Sequence, residues 1–223
     1  YRDGKIAISN VFSRLADHFG IDLWEAISIA NRHPRVNILQ PGPGVGGHCI
    51  SVDPWFLVEA APALTPLIKT ARQVNDSQPH FVLDLIRRSL GELQGQRVAV
   101  LGLAYKAGVD DLRESPAVEI ARLLVGEGAL VKAYEPFKPN AILDGVPTVP
   151  SLEEAVGDAQ ALVLLVGHKV FRELKPEDLV KLTPARVVMD VVNAWDSQEW
   201  VWGGFNITRL SVSSREKKFN LPS

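Results

Sequence analysis

The segment RVAVLGL, residues 97–103, predicts a buried β-strand and decides the fold of the second half of the chain. It is a short apolar run interrupted only by Gly102, which is typical of a strand covered on both faces. Further strands are predicted at residues 130–134, 161–166 and 186–192. Helical segments separate them, and strands that alternate with helices form a doubly wound parallel sheet. The expected fold class is therefore α/β.

The first part of the chain has a different pattern, because its periodicity is helical throughout. Residues 8–19 carry an apolar stripe that ends at Gly20, a residue suited to a helix C-terminus. Asp22 is expected to cap a second helix, with Glu25 completing a capping box. The pattern changes near residues 91–96. We therefore predict three segments, which are an all-helical domain over 1–93, a Rossmann-like sheet domain over 94–195 and a tail of uncertain structure over 196–223.

Composition and charge argue against several classes of protein. Hydrophobic residues make up 46% of the chain and the formal net charge is -2, so neither a nucleic-acid-binding face nor a basic membrane-binding face is indicated. No apolar run reaches the ~20 residues that span a bilayer. The only cysteine, Cys49, cannot form an intrachain disulfide, which indicates a reducing, cytoplasmic setting. The chain begins at Tyr1 within a helical pattern, so we expect a piece of a longer protein.

The segment PGPGVGGHCISVDP, residues 41–54, holds the strongest chemical signal. Cys49 follows four glycines, and glycines allow a backbone to approach a ligand closely. A thiolate in such a loop can act as a covalent nucleophile. A free cysteine is also commonly a buried and inert hydrophobe, so both interpretations stay open. Asp53 precedes Pro54 and is the expected N-cap of a helix, and it can also serve as an acid–base group.

Two cations lie after the first predicted strand, and each has a functional and a structural interpretation. Lys106 follows that strand closely, where ligands bind in open α/β sheets, and it can contact phosphate or stay solvated. Arg113 can reach a ligand phosphate or pair with its acidic neighbours. No Gly-x-Gly-x-x-Gly follows any strand, so the usual dinucleotide signature is absent from the sequence.

Two longer strings resemble the signatures of one enzyme family. They are NRHPRVNILQPGPGVGGHCISVDPWFL at residues 31–57 and GLAYKAGVDDLRESPAVEIA at residues 102–121. Both resemble the nucleotide-sugar 6-dehydrogenases of the UDP-glucose/GDP-mannose dehydrogenase superfamily, over residues 1–195. The string at residues 33–49 is most similar to the branch that oxidises UDP-N-acetylmannosamine.

The resemblance implies an architecture and a reaction. Family members combine an N-terminal NAD-binding Rossmann domain, a central helical domain that forms a homodimer, and a C-terminal UDP-binding domain. This chain resembles the last two, and the family's catalytic lysine and asparagine are expected just upstream of Tyr1. The family oxidises the sugar C6 alcohol to a carboxylate in two NAD-dependent steps, through a cysteine thiohemiacetal and thioester.

Site residues follow from the resemblance one by one. Cys49 is the expected nucleophile and Asp53 the acid–base or water-orienting group. Arg113 matches an arginine that reaches the NAD pyrophosphate, and no metal is expected. The positions that match substrate-contacting residues are Arg2, His33, Arg35 (which often reaches across from a partner subunit), Gly46, Tyr105 and Lys106.

One departure from the family leaves alternatives open. Many members have a basic residue two positions after the aspartate of the final strand, whereas Asp190 here is followed by Val191, Val192 and Asn193. Weakened UDP binding or a rearranged C-terminus is therefore one expectation. The alternatives are a dehydrogenase for UDP-glucose or GDP-mannose, and a non-catalytic, dimerising module that binds a nucleotide sugar.

Overall fold

The computed structural model describes residues 1–212, which form a helical part followed by an α/β part. Among these residues, none of the helices combines the length and the apolar character needed to cross a membrane. The helical part consists of α1 Arg2–Phe19, α2 Leu23–Ala30, α3 Asp53–Ala60, α4 Pro66–Asp76 and α5 Gln78–Leu90. The α/β part consists of β1 Arg97–Leu101, α6 Pro116–Gly126, β2 Leu130–Tyr134, α7 Leu152–Val156, β3 Ala161–Leu164, α8 Lys169–Arg172, α9 Pro176–Leu182, β4 Val187–Asp190, α10 Ser197–Trp202 and β5 Asn206–Arg209.

The sheet is parallel throughout and has the order β2-β1-β3-β4-β5. Alternate residues of β1 point to opposite faces, so Val98 and Val100 pack with α5 and α6 while Ala99 and Leu101 pack with the helices of the other face. Helices on both faces confirm the doubly wound α/β fold. The chain adds β2 on one side of β1 and β3 on the other. This change of direction creates a crevice between β1 and β3 at the carboxyl ends of the strands.

The tail is more ordered than the sequence predicts. Residues 196–212 include α10 and a fifth strand. The strand predicted at residues 186–192 is present as β4, but the prediction that it is the last strand is wrong. The segment folds because Trp195 and Trp200 stack at 3.9 Å between ring centroids and Phe205 packs beside them in the buried core. Residues 213–223, including Arg215, Lys217 and Lys218, lie outside the described residues.

Helix α5 packs mainly with α6 and the sheet rather than with the other helices of the helical part. Its Val82, Leu83 and Ile86 are buried in the same core as Val98 and Ile120. The core therefore crosses the division that the sequence predicts near residue 94. The helices that stand outside this core are mainly α1, α3 and α4.

Helix α1 buries polar side chains and exposes apolar ones. Asp3, Asn10 and Ser13 are buried against α4, where Asn10 Nδ2 donates to Asn75 Oδ1 at 2.9 Å. The apolar stripe predicted at residues 8–19 faces mostly outward, because four of its members are exposed. These exposed residues are Ile8, Val11, Leu15 and Phe19.

Two contacts join α2 to the end of the sheet. Trp24 Nε1 donates to the carbonyl oxygen of Leu210 at 2.9 Å, and both residues are buried. Asp22 caps α2, as predicted, by accepting from the backbone N–H of Trp24 and Glu25. Its other carboxylate oxygen accepts from Arg209 Nη2 at 2.9 Å. The position of α2 therefore depends on residues almost at the end of the described chain.

We expect Trp24→Phe to lower the free energy of unfolding by about 1–2 kcal/mol, because it leaves a buried carbonyl without its donor. Urea denaturation followed by far-UV circular dichroism measures the change. Trp202→Phe is the matched control, since Trp202 is 78% exposed and its substitution should change stability by less than about 0.5 kcal/mol. Equal effects of the two substitutions would contradict the structural role of the Trp24 bond.

Candidate active site

The cysteine of the glycine-rich loop lies immediately before α3 and is exposed. The backbone N–H groups of Val52 and Asp53 donate to the Cys49 carbonyl at 3.2 and 2.8 Å, so a turn leads from the cysteine directly into the helix. Exposure of Cys49 favours the reactive interpretation over the inert, buried one. The expectation that Asp53 is the N-cap is wrong, because Val52 holds that position and no side chain caps the helix.

Three of the predicted site residues line one groove. Arg2, Cys49 and Asp53 lie at a cavity of about 820 Å³ between α1, α3 and α4. The rest of its wall is largely apolar and includes Ile8 and Leu67. A thiol, a carboxylate and a guanidinium therefore share a surface that is open to solvent and poor in other polar groups.

His48 supplies a base beside the thiol, which its position in the sequence could not establish. Its Nδ1 lies 3.7 Å from Cys49 Sγ, and both side chains are exposed. A nucleophile paired with a neighbouring base is the usual arrangement for covalent catalysis. The imidazole can therefore accept the thiol proton when the sulfur attacks.

The glycines of the loop are explained by close packing against the α/β part. A Cβ at Gly46 would lie 2.2 Å from the carbonyl oxygen of Glu114, and one at Gly47 would lie 2.9 Å from the ring of Tyr105. The Gly47 N–H also donates to the Arg113 carbonyl at 3.0 Å. The Glu114 carbonyl leaves no room for a side chain at Gly46, and Gly47 has a φ of 90°, which favours glycine. These two glycines therefore allow the loop to pack closely on the second part of the chain.

Tyr105 and Lys106 are placed side by side at the carboxyl end of β1. Tyr105 is half-buried beneath the loop glycines, while Lys106 is exposed with its Nζ 5.4 Å from the Tyr105 ring centroid. The predicted substrate contacts Gly46, Tyr105 and Lys106 are thus brought together at one edge of the sheet. An exposed ammonium there is suited to contact phosphate.

Arg113 pairs with Asp111 in a bidentate manner. Its Nε and Nη2 donate to the two carboxylate oxygens at 2.9 and 2.7 Å. The side-chain hydrogen bond from Arg113, followed by that from its backbone N–H, lowers the pKa of Asp111 to about 2. In this structure Arg113 therefore pairs with its acidic neighbour, as one of the two interpretations predicts, and its guanidinium stays largely exposed.

His33 and Arg35 are not brought to the groove. Both are exposed on the segment after α2, where the Arg35 N–H donates to His33 Nδ1 at 3.2 Å. Neither residue lines the cavity that holds Cys49.

A buried polar cluster behind the loop was not identified from the sequence. Arg72 is 1% exposed and donates to Asp3 at 2.6 Å and to the Ile50 carbonyl at 3.4 Å, next to Cys49. Gln78 and Asn10 bind the backbone of Gly42 at the other end of the loop, each at 3.2 Å. The available signal was the row of polar residues opposite the apolar stripe of α1.

The turn after β1 does not fit a dinucleotide. In such turns the backbone N–H groups are free to bind a pyrophosphate. Here the N–H groups of Leu103 and Ala104 donate to the Glu135 carboxylate at 2.7 and 2.9 Å. Among the residues the structure describes, this turn offers NAD no phosphate cradle, in agreement with the missing glycine signature.

Comparison with known proteins identifies both parts of the chain. Residues 1–77 match the central domain of the UDP-glucose/GDP-mannose dehydrogenase family, and residues 99–197 match the UDP-binding domain of the same family. Helix α5 lies between the two matched segments.

Individual relatives give the same result. An NDP-N-acetyl-D-galactosaminuronic acid dehydrogenase of Ralstonia solanacearum is 48% identical over 89% of this chain and 46% of its own length. A UDP-N-acetyl-D-mannosamine dehydrogenase of Methanocaldococcus jannaschii is 42% identical over 93% of this chain and 48% of its own. The solved UDP-D-ManNAc dehydrogenase of Pyrococcus horikoshii superposes with a TM-score of 0.82 at 33% identity, over 95% of this chain and 49% of that one. The chain thus spans about half the length of the curated relatives it matches.

We expect Gly46→Ala to lower the free energy of unfolding by about 1–3 kcal/mol, because the added methyl group overlaps the Glu114 carbonyl and forces the backbone apart. Thermal and urea unfolding measure the change. Gly42→Ala in the same loop is the control, because its Cβ would meet nothing within 4 Å. A Gly46→Ala protein as stable as the control would show that the loop is not held by this contact.

Proposed function

The chain belongs to the UDP-glucose/GDP-mannose dehydrogenase family, and we propose that the whole protein oxidises the C6 alcohol of a UDP-sugar to a carboxylate with NAD. The observation that carries the proposal is the exposed Cys49 beside His48, in the groove shared with Asp53 and Arg2. A thiol with an adjacent base is suited to trap an aldehyde at the stage between two oxidations.

The proposed substrate is UDP-N-acetylmannosamine, with UDP-N-acetylmannosaminuronate as product. The string at residues 33–49 and the relatives named UDP-N-acetyl-D-mannosamine dehydrogenase support this choice. The relative at 48% identity is named for a galactosaminuronic acid product, which supports a 2-acetamido sugar of the galacto configuration as the second candidate. Both candidates carry an N-acetyl group at C2, unlike UDP-glucose and GDP-mannose.

Cys49 performs the covalent chemistry in this proposal. Its sulfur adds to the aldehyde carbon, and His48 takes the thiol proton, which is then transferred to the former carbonyl oxygen to give a thiohemiacetal. Bound NAD would supply the hydride acceptor for two oxidations, that of the C6 alcohol to the aldehyde and that of the thiohemiacetal, which also loses its hydroxyl proton, to the thioester. Water then attacks the resulting thioester, the carbon–sulfur bond breaks, and the thiol is restored as the carboxylate leaves. Asp53 lines the same groove, and its proposed role is to orient or deprotonate that water.

The remaining predicted residues hold the substrate and cofactor. Lys106 is the proposed cation for the UDP phosphates, since it is exposed at the carboxyl edge of β1. Arg113 is the proposed contact for NAD from this chain, and release from Asp111 frees its guanidinium for phosphate. The amides of Leu103 and Ala104, the first two after Gly102, are bound to Glu135, so we propose that the main NAD site lies in a part of the whole protein outside this chain.

The same feature favours a second candidate for the chain by itself. Without a dinucleotide cradle at β1, residues 1–212 are suited to bind a nucleotide sugar without turning it over. Detection of UDP binding together with absence of NADH formation would identify this activity for the isolated chain.

We further propose that the protein forms a homodimer through its helical part. Helix α1 exposes Ile8, Val11, Leu15 and Phe19 on one side while its polar side is buried. A surface helix normally does the reverse. The exposed Leu67 of α4 extends the same apolar surface across the groove. A second copy offers a matching apolar face in the symmetric manner of a two-fold dimer.

In the whole protein, we expect Cys49→Ser to abolish acid formation while leaving UDP-sugar affinity within about threefold, because serine keeps the shape of the side chain but is a far weaker nucleophile. NADH release across a panel of nucleotide sugars, including both 2-acetamido candidates, UDP-glucose and GDP-mannose, measures activity and specificity together. Val52→Ala, in the same loop, is the control and should keep wild-type turnover. Unchanged steady-state NADH production by the serine variant would exclude Cys49 as the nucleophile.

For the dimer, we expect Leu15→Glu to give a monomer, because each copy would place a charge in an apolar interface. Light scattering at micromolar concentration should give about twice the chain mass of 24.4 kDa for the wild type and the single-chain mass for the variant. Ile142→Glu is the control, since Ile142 is 97% exposed on the α/β part. A wild-type monomer, or a Leu15→Glu dimer, would contradict the proposed interface.

A further inference from the structure

A buried carboxylate lies under the loop that carries Tyr105 and Lys106. Glu135 follows β2 directly and is 1% exposed. Its Oε2 accepts from the backbone N–H groups of Leu103 and Ala104, and its Oε1 accepts from that of Phe137 at 3.1 Å. Burial acts to raise the pKa of Glu135, but the hydrogen bonds from His168 and these three amides outweigh it and hold the pKa below its usual value. The group is therefore ionised at neutral pH.

The partner of this carboxylate is a fully buried histidine that lies beyond the end of β3, on the other side of β1 from β2. His168 follows β3, and its Nε2 lies 3.0 Å from Glu135 Oε1. Its other nitrogen, Nδ1, accepts from the backbone N–H of Gly108 at 3.1 Å. Because Nδ1 is an acceptor, the ring hydrogen belongs to Nε2 and points at the carboxylate. The rings of Phe137 and Phe171 pack beside the imidazole at 4.9 and 5.9 Å between centroids.

The two residues hold the loop at both ends. Glu135 binds the amides of Leu103 and Ala104, where the loop leaves β1, and His168 binds the amide of Gly108, where it turns back. Tyr105 and Lys106 lie between these anchor points. Among the described residues, no side-chain hydrogen bond holds Lys106. The backbone on either side, together with the adjacent Tyr105 ring, therefore sets the region that its ammonium group can reach.

We propose that Glu135 and His168 are positioning residues that fix the 103–108 loop, and through it Lys106, for a nucleoside diphosphate. The inference rests on the proposed UDP-sugar binding and adds residues that make no contact with the ligand. A loop that is ordered before binding avoids the entropy cost of ordering it in the complex. Buried polar pairs also define a single geometry only when every donor and acceptor is satisfied, as it is for this pair.

A purely structural role is the competing explanation, and the chain offers variants that separate the two. His168→Phe keeps a ring of similar volume but removes the Gly108 acceptor and the Glu135 donor. His168→Asn places its amide oxygen near the position of Nδ1 and can keep the Gly108 bond. Phe171→Leu removes buried packing beside the histidine without touching either loop anchor. It is the matched control for loss of stability alone.

The experiment combines amide hydrogen exchange by NMR with UDP titration of the unmodified 223-residue chain and the three variants. We expect His168→Phe to speed exchange of the Gly108 amide and to raise the Kd for UDP, each by about tenfold or more, because the loop opens before binding. His168→Asn should keep both values within about threefold of wild type. Phe171→Leu should lower stability but change neither value.

Two results would overturn the inference. One is wild-type exchange at Gly108 in His168→Phe, and the other is an equal change of exchange and affinity in Phe171→Leu. Failure of the proposed function gives a result that differs from both of these, because the wild-type chain would then show no UDP binding at all. In that case the exchange of Gly108 alone decides whether the pair orders the loop.

Discussion

Close packing between the backbone of the glycine-rich loop and the α/β part is the constraint on which the site depends. Gly46 lies so close to the Glu114 carbonyl that a Cβ has no room, and the Gly47 N–H donates to the Arg113 carbonyl beside the Tyr105 ring. The contact places Cys49 at a fixed offset from Tyr105 and Lys106, although they are more than 50 residues apart in the sequence. A nucleophile from one domain can act on a substrate held by another only if such an offset is rigid, because misplacement of reacting groups by 1 Å is costly.

The back of the same loop is held by charge rather than by apolar contact. Arg72 is buried with Asp3 and also binds Asp76, while it reaches the carbonyl of Ile50 beside the cysteine. Removal of one member of such a cluster leaves a buried charge without its partner, which is much more destabilising than the net contribution of the pair. The polar interior of the helical part therefore keeps the loop in one conformation. Because polar residues occupy this interior, the apolar residues of α1 lie on its outer face.

The sequence predicts an element correctly where its signal lies within a few residues, and it fails where contacts between distant residues determine the structure. The apolar runs of β1 and β3 and the cap at Asp22 were predicted correctly because each is encoded within a few residues. Strand β5 was missed because it is a half-buried edge strand of four residues, NITR, without a clear alternation. Glu135 and His168 escaped notice because their partnership joins residues 33 positions apart. Strands β2 and β3 flank β1, so the residues that follow their carboxyl ends lie at the same edge of the sheet. That placement would have pointed to the pair.

The bond between Trp24 and Leu210 has a consequence for how the chain folds. The two residues are separated by 186 positions, so the bond closes a loop that contains most of the molecule. Contacts of such long range form late, because the chain loses entropy in closing the loop before any contact compensates for it. During synthesis α2 leaves the ribosome long before β5 is made, so the side of α2 that carries Trp24 stays exposed until then. The order of events in folding is then opposite to the order of the chain, since the last described strand completes the packing of one of the first helices.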